Sequence, residues 1–139
     1  MQFIGIEIAP ASTKAVVLDL DSAEILAEAS ISHSWIDGLP PGYLEQEPTR
    51  WIEATDRVIR NCLNQPKVDK KQIAAIGVAG PQRGLVILDK QNRVIRPTKL
   101  AGDVSVQKQA GEIARAFGGS PGLLELIGQS PATDSAAAE

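Results

Sequence analysis

The first 32 residues constrain the fold most, because three strand-like runs follow one another through close connections. Residues 2–8 alternate Ile4, Ile6 and Ile8 on one side with Phe3, Gly5 and Glu7 on the other, which is the period of a pleated strand. Residues 13–20 are rich in β-branched side chains and run into the turn signal Asp19-Leu20-Asp21-Ser22. Residues 24–32 form a third run. Two close connections in succession predict an antiparallel meander.

The pattern then changes. The stretch from Trp35 to Pro48 holds Pro40, Pro41 and Gly42 and reads as a loop or an edge excursion. Pro48 suits the first turn of a helix, where a missing N–H costs nothing. Trp51, Ile52, Thr55, Val58, Ile59, Cys62 and Leu63 recur at three- and four-residue intervals. This spacing predicts an amphipathic helix of about four turns, stopped by Pro66. The apolar run 73–79 is typical of a central strand covered on both faces, and the helix before it implies a crossover and parallel pairing with an earlier strand. A second hairpin is expected over 84–89 and 93–96, with Asn92 in a left-handed position. Its Val86-Ile87-Leu88-Asp89 echoes Val16-Val17-Leu18-Asp19, which is reuse of hairpin chemistry and no solenoid repeat. Past Pro97, Val106, Ala110, Ile113, Ala114 and Phe117 keep a helical period closed by Gly118 and Gly119. Ser120-Pro121 opens a short helix ending at Gly128. Residues 129–139 read as a tail or the start of a missing element.

Composition bounds the function classes. The 139 residues are expected to form a single domain, 1–139. The hydrophobic fraction of 43% and charged fraction of 22% are those of a globular chain. The net charge of −3 argues against a nucleic-acid module held by phosphate contacts. No apolar run approaches the roughly 18 residues of a membrane span, and no basic segment precedes the apolar N-terminus as in a signal peptide. A soluble, cytoplasmic α/β domain is expected. Cys62 and His33 are the only residues of their kinds. They allow no intrachain disulfide and no zinc site of Cys/His type. Cys62 lies on the apolar stripe of the helix and reads as a buried thiol. His33 reads as a strand or loop residue rather than a catalyst.

The first hairpin carries the chemistry. An acid, Glu7, stands near the end of a buried strand, and the small residues Ala9 to Thr13 make a wider turn than a tight hairpin needs. Backbone N–H groups in such a loop can cradle phosphate, hydroxyls can add donors, and Lys14 can neutralise charge. The acid can position a magnesium ion or its waters. The same residues also fit a plain hairpin with a capped loop.

Four blocks in order resemble the N-terminal domain of FGGY carbohydrate kinases, xylulokinases in particular. Residues 5–19 resemble the first phosphate-binding hairpin, Gly-Ile-Asp-Ile-Gly-Thr followed by Ser/Thr and Lys. Glu45-Gln46-Glu47-Pro48 with Trp51 resembles the "EQDP..W" helix entry. Residues 77–89 resemble "GVSGQMHGLVLLD", and Arg96-Pro97 through Asp103 resembles "RPAILWND". The resemblance implies a ribonuclease H-like, actin-like ATPase fold. That is a mixed sheet with a three-stranded antiparallel meander, a parallel strand and flanking helices. It implies ATP and Mg2+ as cofactors. Glu7 would orient the metal, Ser12, Thr13 and Lys14 would face the phosphates, and Gln82, Arg83 and Asp103 would face the sugar.

The chain departs from the family pattern at both walls. The family Asp is Glu7, the first loop Gly is Ala9 and the next Thr is Pro10. On the sugar side, Gln, Met and His are Pro81, Gln82 and Arg83. Trp and Asn are Ala101 and Gly102, whereas Asp103 is retained. The resemblance places the catalytic base and second kinase domain outside this chain, so no catalytic residue is assigned. An N-terminal domain or truncated form of a sugar kinase, inactive alone, is expected. Its complete enzyme would phosphorylate a sugar such as a pentulose, and its partner would be the missing C-terminal domain or further copies. The alternative is a non-catalytic actin-like domain repurposed for protein interaction through Trp35, Leu39, Pro40, Pro41 and Tyr43.

Overall fold

The computed structural model describes residues 1–82 and 84–128, and every structural statement concerns these. Six strands and three α-helices follow in order: β1 (Gln2–Ile8), β2 (Ser12–Asp19), β3 (Glu24–Ser32), β4 (Glu45–Gln46), α1 (Pro48–Leu63), β5 (Ile73–Ala79), β6 (Thr98–Lys99), α2 (Gln107–Ala116) and α3 (Gly119–Ile127), with a short 3-10 turn at Lys70–Gln72 before β5. They fall into two compact units, Met1–Ser34 with Pro48–Pro81, and Trp35–Glu47 with the residues from Gln82 onward.

The first unit is a four-stranded sheet in the order β3-β2-β1-β5. The expected meander is present, with β1 antiparallel to β2 and β2 antiparallel to β3. The helical crossover returns the chain as expected, so that β5 runs parallel to β1 with Ile4 opposite Ile76 and Gly5 opposite Gly77. Alternation sends Ile4, Ile6, Ala15, Val17 and Ala27 to one face, where they meet Val58 and Cys62 of α1. Each aliphatic side chain of Val or Ile size buried there contributes roughly 1.5–3 kcal/mol. Cys62 is fully buried and directs its thiol at the Ala15 carbonyl, 3.6 Å away. Burial, with the Glu28 charge, pushes that thiol above its ordinary pKa, which makes it an unreactive core residue.

The expectation of a β5 covered on both faces is corrected. β5 ends the sheet, and Ile76 and Val78 are 55% and 65% exposed. The cause is the placement of α1, which packs over β2 and β3.

In the second unit, β4 and β6 pair antiparallel, Glu45 opposite Lys99 and Gln46 opposite Thr98, the first of them inside the stretch expected to be a loop or an edge excursion. The hairpin expected over 84–96 is reduced to its turn and one bridge, Leu88 to Val94. Asn92 has the expected positive φ of 59°, and the Asp89 carboxylate accepts from the Gln91 and Arg93 N–H groups. Leu85 to Leu88 and Ile95 remain exposed, and a hairpin with no buried face does not sustain a ladder. α2 and α3 follow the expected spacing, but α3 begins at Gly119 with Gly118, and not Ser120, at its N-cap; Gly118 and the closing Gly128 both have positive φ. The sequence-predicted tail at 129–139 lies outside the described residues.

Candidate functional site

Period-2 alternation sorts the residues of the first hairpin onto two faces. On the face away from α1, Glu7 of β1 stands directly opposite Lys14 of β2, and Gly5 stands opposite Val16. Both charged side chains are exposed. Gly5, Glu7, Lys14 and Val16, with the backbone of Ile6 and Ala15, line an open depression of about 310 Å3. Glycine matters here for space, since a Cβ at Gly5 would sit 3.3 Å from a Val16 methyl. Gly77 of β5, beside Gly5, likewise leaves backbone bare. On the other side of Lys14 lies Ser30 of β3, with Glu28 two residues before it on the same face. Ser12 belongs to this face too, paired with Ser32. A carboxylate, an ammonium and hydroxyls over bare backbone can receive a polyanion and a hydrated cation.

Thr13 departs from the sequence expectation. It lies between Ser12 and Lys14 and therefore points the other way. It is fully buried, and its hydroxyl sits 2.8 Å from Nε2 of His33. It supports the loop from beneath instead of facing the open side. Ala9 stands where the family pattern has a glycine. Its φ is not positive, and its N–H closes the turn on the Ser12 carbonyl at 2.9 Å. The Cβ therefore imposes no backbone strain.

On the sequence-predicted sugar side, Gln82 is exposed, Arg83 lies outside the described residues, and Asp103 is buried. The Asp103 carboxylate accepts the Leu44 N–H at 2.6 Å and the Ser105 N–H at 2.8 Å, and also bonds the Ser105 hydroxyl. Lys99 Nζ stands 3.6 Å away and also pairs with Glu45 at 2.7 Å, while Arg96 joins Glu45 at 3.0 Å. Burial pulls the Asp103 pKa upward; the Ser105 and Leu44 donors and the Lys99 charge outweigh it, leaving the group below its ordinary value. Asp103 is thus tied into its own unit. Sequence reasoning missed Lys99 and Glu45, whose meeting depends on two strands of two residues each.

The family model for the N-terminal domain of the FGGY family of carbohydrate kinases matches residues 2–122. The chain belongs to that family. Xylulose kinase of Haemophilus influenzae is 31% identical over 130 residues, covering 91% of this chain and 26% of that protein. The solved xylulose kinase of Bifidobacterium adolescentis superposes with a TM-score of 0.80 at 22% identity, over 99% of this chain and 28% of that one. The glycerol kinase of Plasmodium falciparum, solved with ADP, gives a TM-score of 0.77 at 19% identity, over 99% and 27%. These likenesses establish the fold as that of the FGGY sugar kinases. The chain spans about a quarter of the length of the curated relatives it matches.

No helix among the described residues is long and apolar enough to cross a membrane. Among them, no three acidic, histidine or cysteine side chains converge as a metal cage. A magnesium ion held by one carboxylate, waters and phosphate oxygens needs no such cage, and Glu7 fits that donor set.

Proposed function

We propose that this chain supplies the phosphate-binding hairpin and part of the sugar-facing wall of an ATP-dependent sugar kinase active on a pentulose. The observation that carries the reading is the placement of Glu7 and Lys14 opposite one another on the open face, in the hairpin that the family model includes. Bound Mg2+ would supply charge neutralisation between phosphate oxygens, with Glu7 orienting it or its waters. Lys14 would hold phosphate charge, and the Ser12 hydroxyl would donate to phosphate oxygen. Gln82 and Arg83 would face the sugar; Asp103 would do so only by giving up its present partners. Phosphoryl transfer depends on positioning and charge stabilisation from all sides. No group described in this chain is placed to take the proton from the sugar hydroxyl, so the reading is of a domain inactive alone.

The test is a titration of the isotopically labelled chain with Mg-ATP, followed by amide NMR. Weak binding is expected, with shifts concentrated at Glu7, Ser12 and Lys14. Lys14→Met should weaken it about tenfold, the size of one lost charge-assisted bond of roughly 1.5 kcal/mol. Shifts confined to other segments, or affinity untouched by Lys14→Met, would remove the hairpin from the reading.

A further inference from the structure

The only histidine of the chain is held against the hairpin loop at more than one point. His33 directly follows β3. Its backbone N–H donates to the Ala11 carbonyl at 2.9 Å, and its Nε2 bonds the Thr13 hydroxyl at 2.8 Å. Thr13 is fully buried, so its hydroxyl needs a partner within the protein, and the imidazole is that partner. The loop it steadies is made of small residues and a proline, with little side-chain packing of its own. Register is the quantity at stake. A slip of one residue would bring Thr13 to the open face and turn Ser12 and Lys14 inward.

We propose that His33 is a positioning residue, which pins Thr13 beneath the β1–β2 loop and so keeps Ser12 and Lys14 on the open face. The functional meaning of the latch rests on the phosphate-side reading above; the latch itself does not.

The surroundings make the latch sensitive to pH. His33 also lines a cleft of about 130 Å3 with Ser32, Ser34, and Arg50, Glu53 and Arg57 of α1. Arg50 is bonded to the Ser34 hydroxyl. The charged groups facing the cleft are therefore two cations and one acid. The β1–β2 loop, Ala9 to Ala11, carries no charged side chain; the Ala9 and Pro10 carbonyls act on the ring, while the ring's buried Nδ1 has no hydrogen-bond partner among the described residues. Burial lowers the imidazole pKa, and those two carbonyls, which favour the protonated form, offset it only in part. In the neutral ring the direction of the Nε2–Thr13 bond follows the tautomer; protonation leaves Nε2 only the donor's role and sets a positive charge against the loop.

The experiment is amide NMR of the full chain across pH 4.5–8, on the wild type, His33→Gln and His33→Ala. The latch predicts that Ala9, Ala11, Ser12 and Thr13 signals titrate together with a midpoint below the ordinary histidine value. Gln, which can reach the position of Nε2, should keep the loop pattern of pH 7.5 and abolish the titration. His33→Ala should speed amide exchange at Ser12 and Thr13 at least tenfold and weaken Mg-ATP binding by a similar factor. Wild-type loop signals that ignore pH would overturn the proposal even if His33→Ala does not fold. A latch that titrates in a chain whose hairpin ignores Mg-ATP would uphold His33 and dismiss the phosphate reading. Equal Mg-ATP shifts in wild type and His33→Ala would do the reverse.

Discussion

A buried lysine needs an acid, and Lys99 has two. Its ammonium pairs with Glu45 and Asp103 and lies 5.4 Å from the centre of the Tyr43 ring. Removing one member of such a group leaves the others under-compensated, which matters more than the net worth of the pair. Asp103→Asn is therefore expected to cost about 1–3 kcal/mol, read as a lowered midpoint in urea unfolding. The pH dependence follows from the lowered Asp103 pKa. The carboxylate's stabilisation is fully present above the unfolded value and is lost as pH falls through the folded one. The wild type should lose this stability in the acid range, and Asp103→Asn should flatten that part of the profile. For His33 the sign also favours high pH. A lowered imidazole pKa means that the unfolded chain binds the proton first, so stability rises with pH through the window below 6.5.

At the scale of elements, the β1–β2 loop separates two substitutions that look alike in sequence. Ala9 has an ordinary φ and a bonded N–H, so Ala9→Gly alone should leave Mg-ATP affinity unchanged and cost about 0.5–1 kcal/mol in chain entropy. Pro10→Thr adds an N–H and a hydroxyl to the loop. It should raise affinity about tenfold, one charge-assisted bond's worth. Calorimetry on the two single variants checks both expectations. The meander and α1 were legible because periods of two and 3.6 persist over seven residues or more, and the parallel return of β5 followed from the helical crossover before it. β4 and β6 were not, since two residues carry no period and their pairing joins segments about fifty positions apart in sequence. The turn at Asp89–Asn92 was legible from its own chemistry, whereas its ladder depended on a covering face that sequence does not reveal. At the site, the same alternation that places Glu7 and Lys14 on one face also excludes Thr13. That signal lies in the spacing of residues 12–14 and was available without coordinates.

For the molecule as a whole, the chain and its relatives share a fold over only a quarter of the relatives' length. Purified chain with Mg-ATP and D-xylulose should release no ADP beyond background. Sugar-dependent ADP release that disappears in Glu7→Ala would show the domain to be self-sufficient. The parallel pairing of β1 with β5 also fixes an order of events in time. β1, β2 and β3 can zip through short loops. β5, by contrast, must wait until some seventy residues of intervening chain have been gathered, an entropic delay that local hairpins avoid. Its amides should therefore gain protection after those of β2 and β3 in pulse-labelled refolding. Ile73→Ala at the start of β5 should hasten unfolding while leaving the refolding rate nearly untouched. Protection of β5 ahead of the meander would mean that the long-range contact nucleates the sheet.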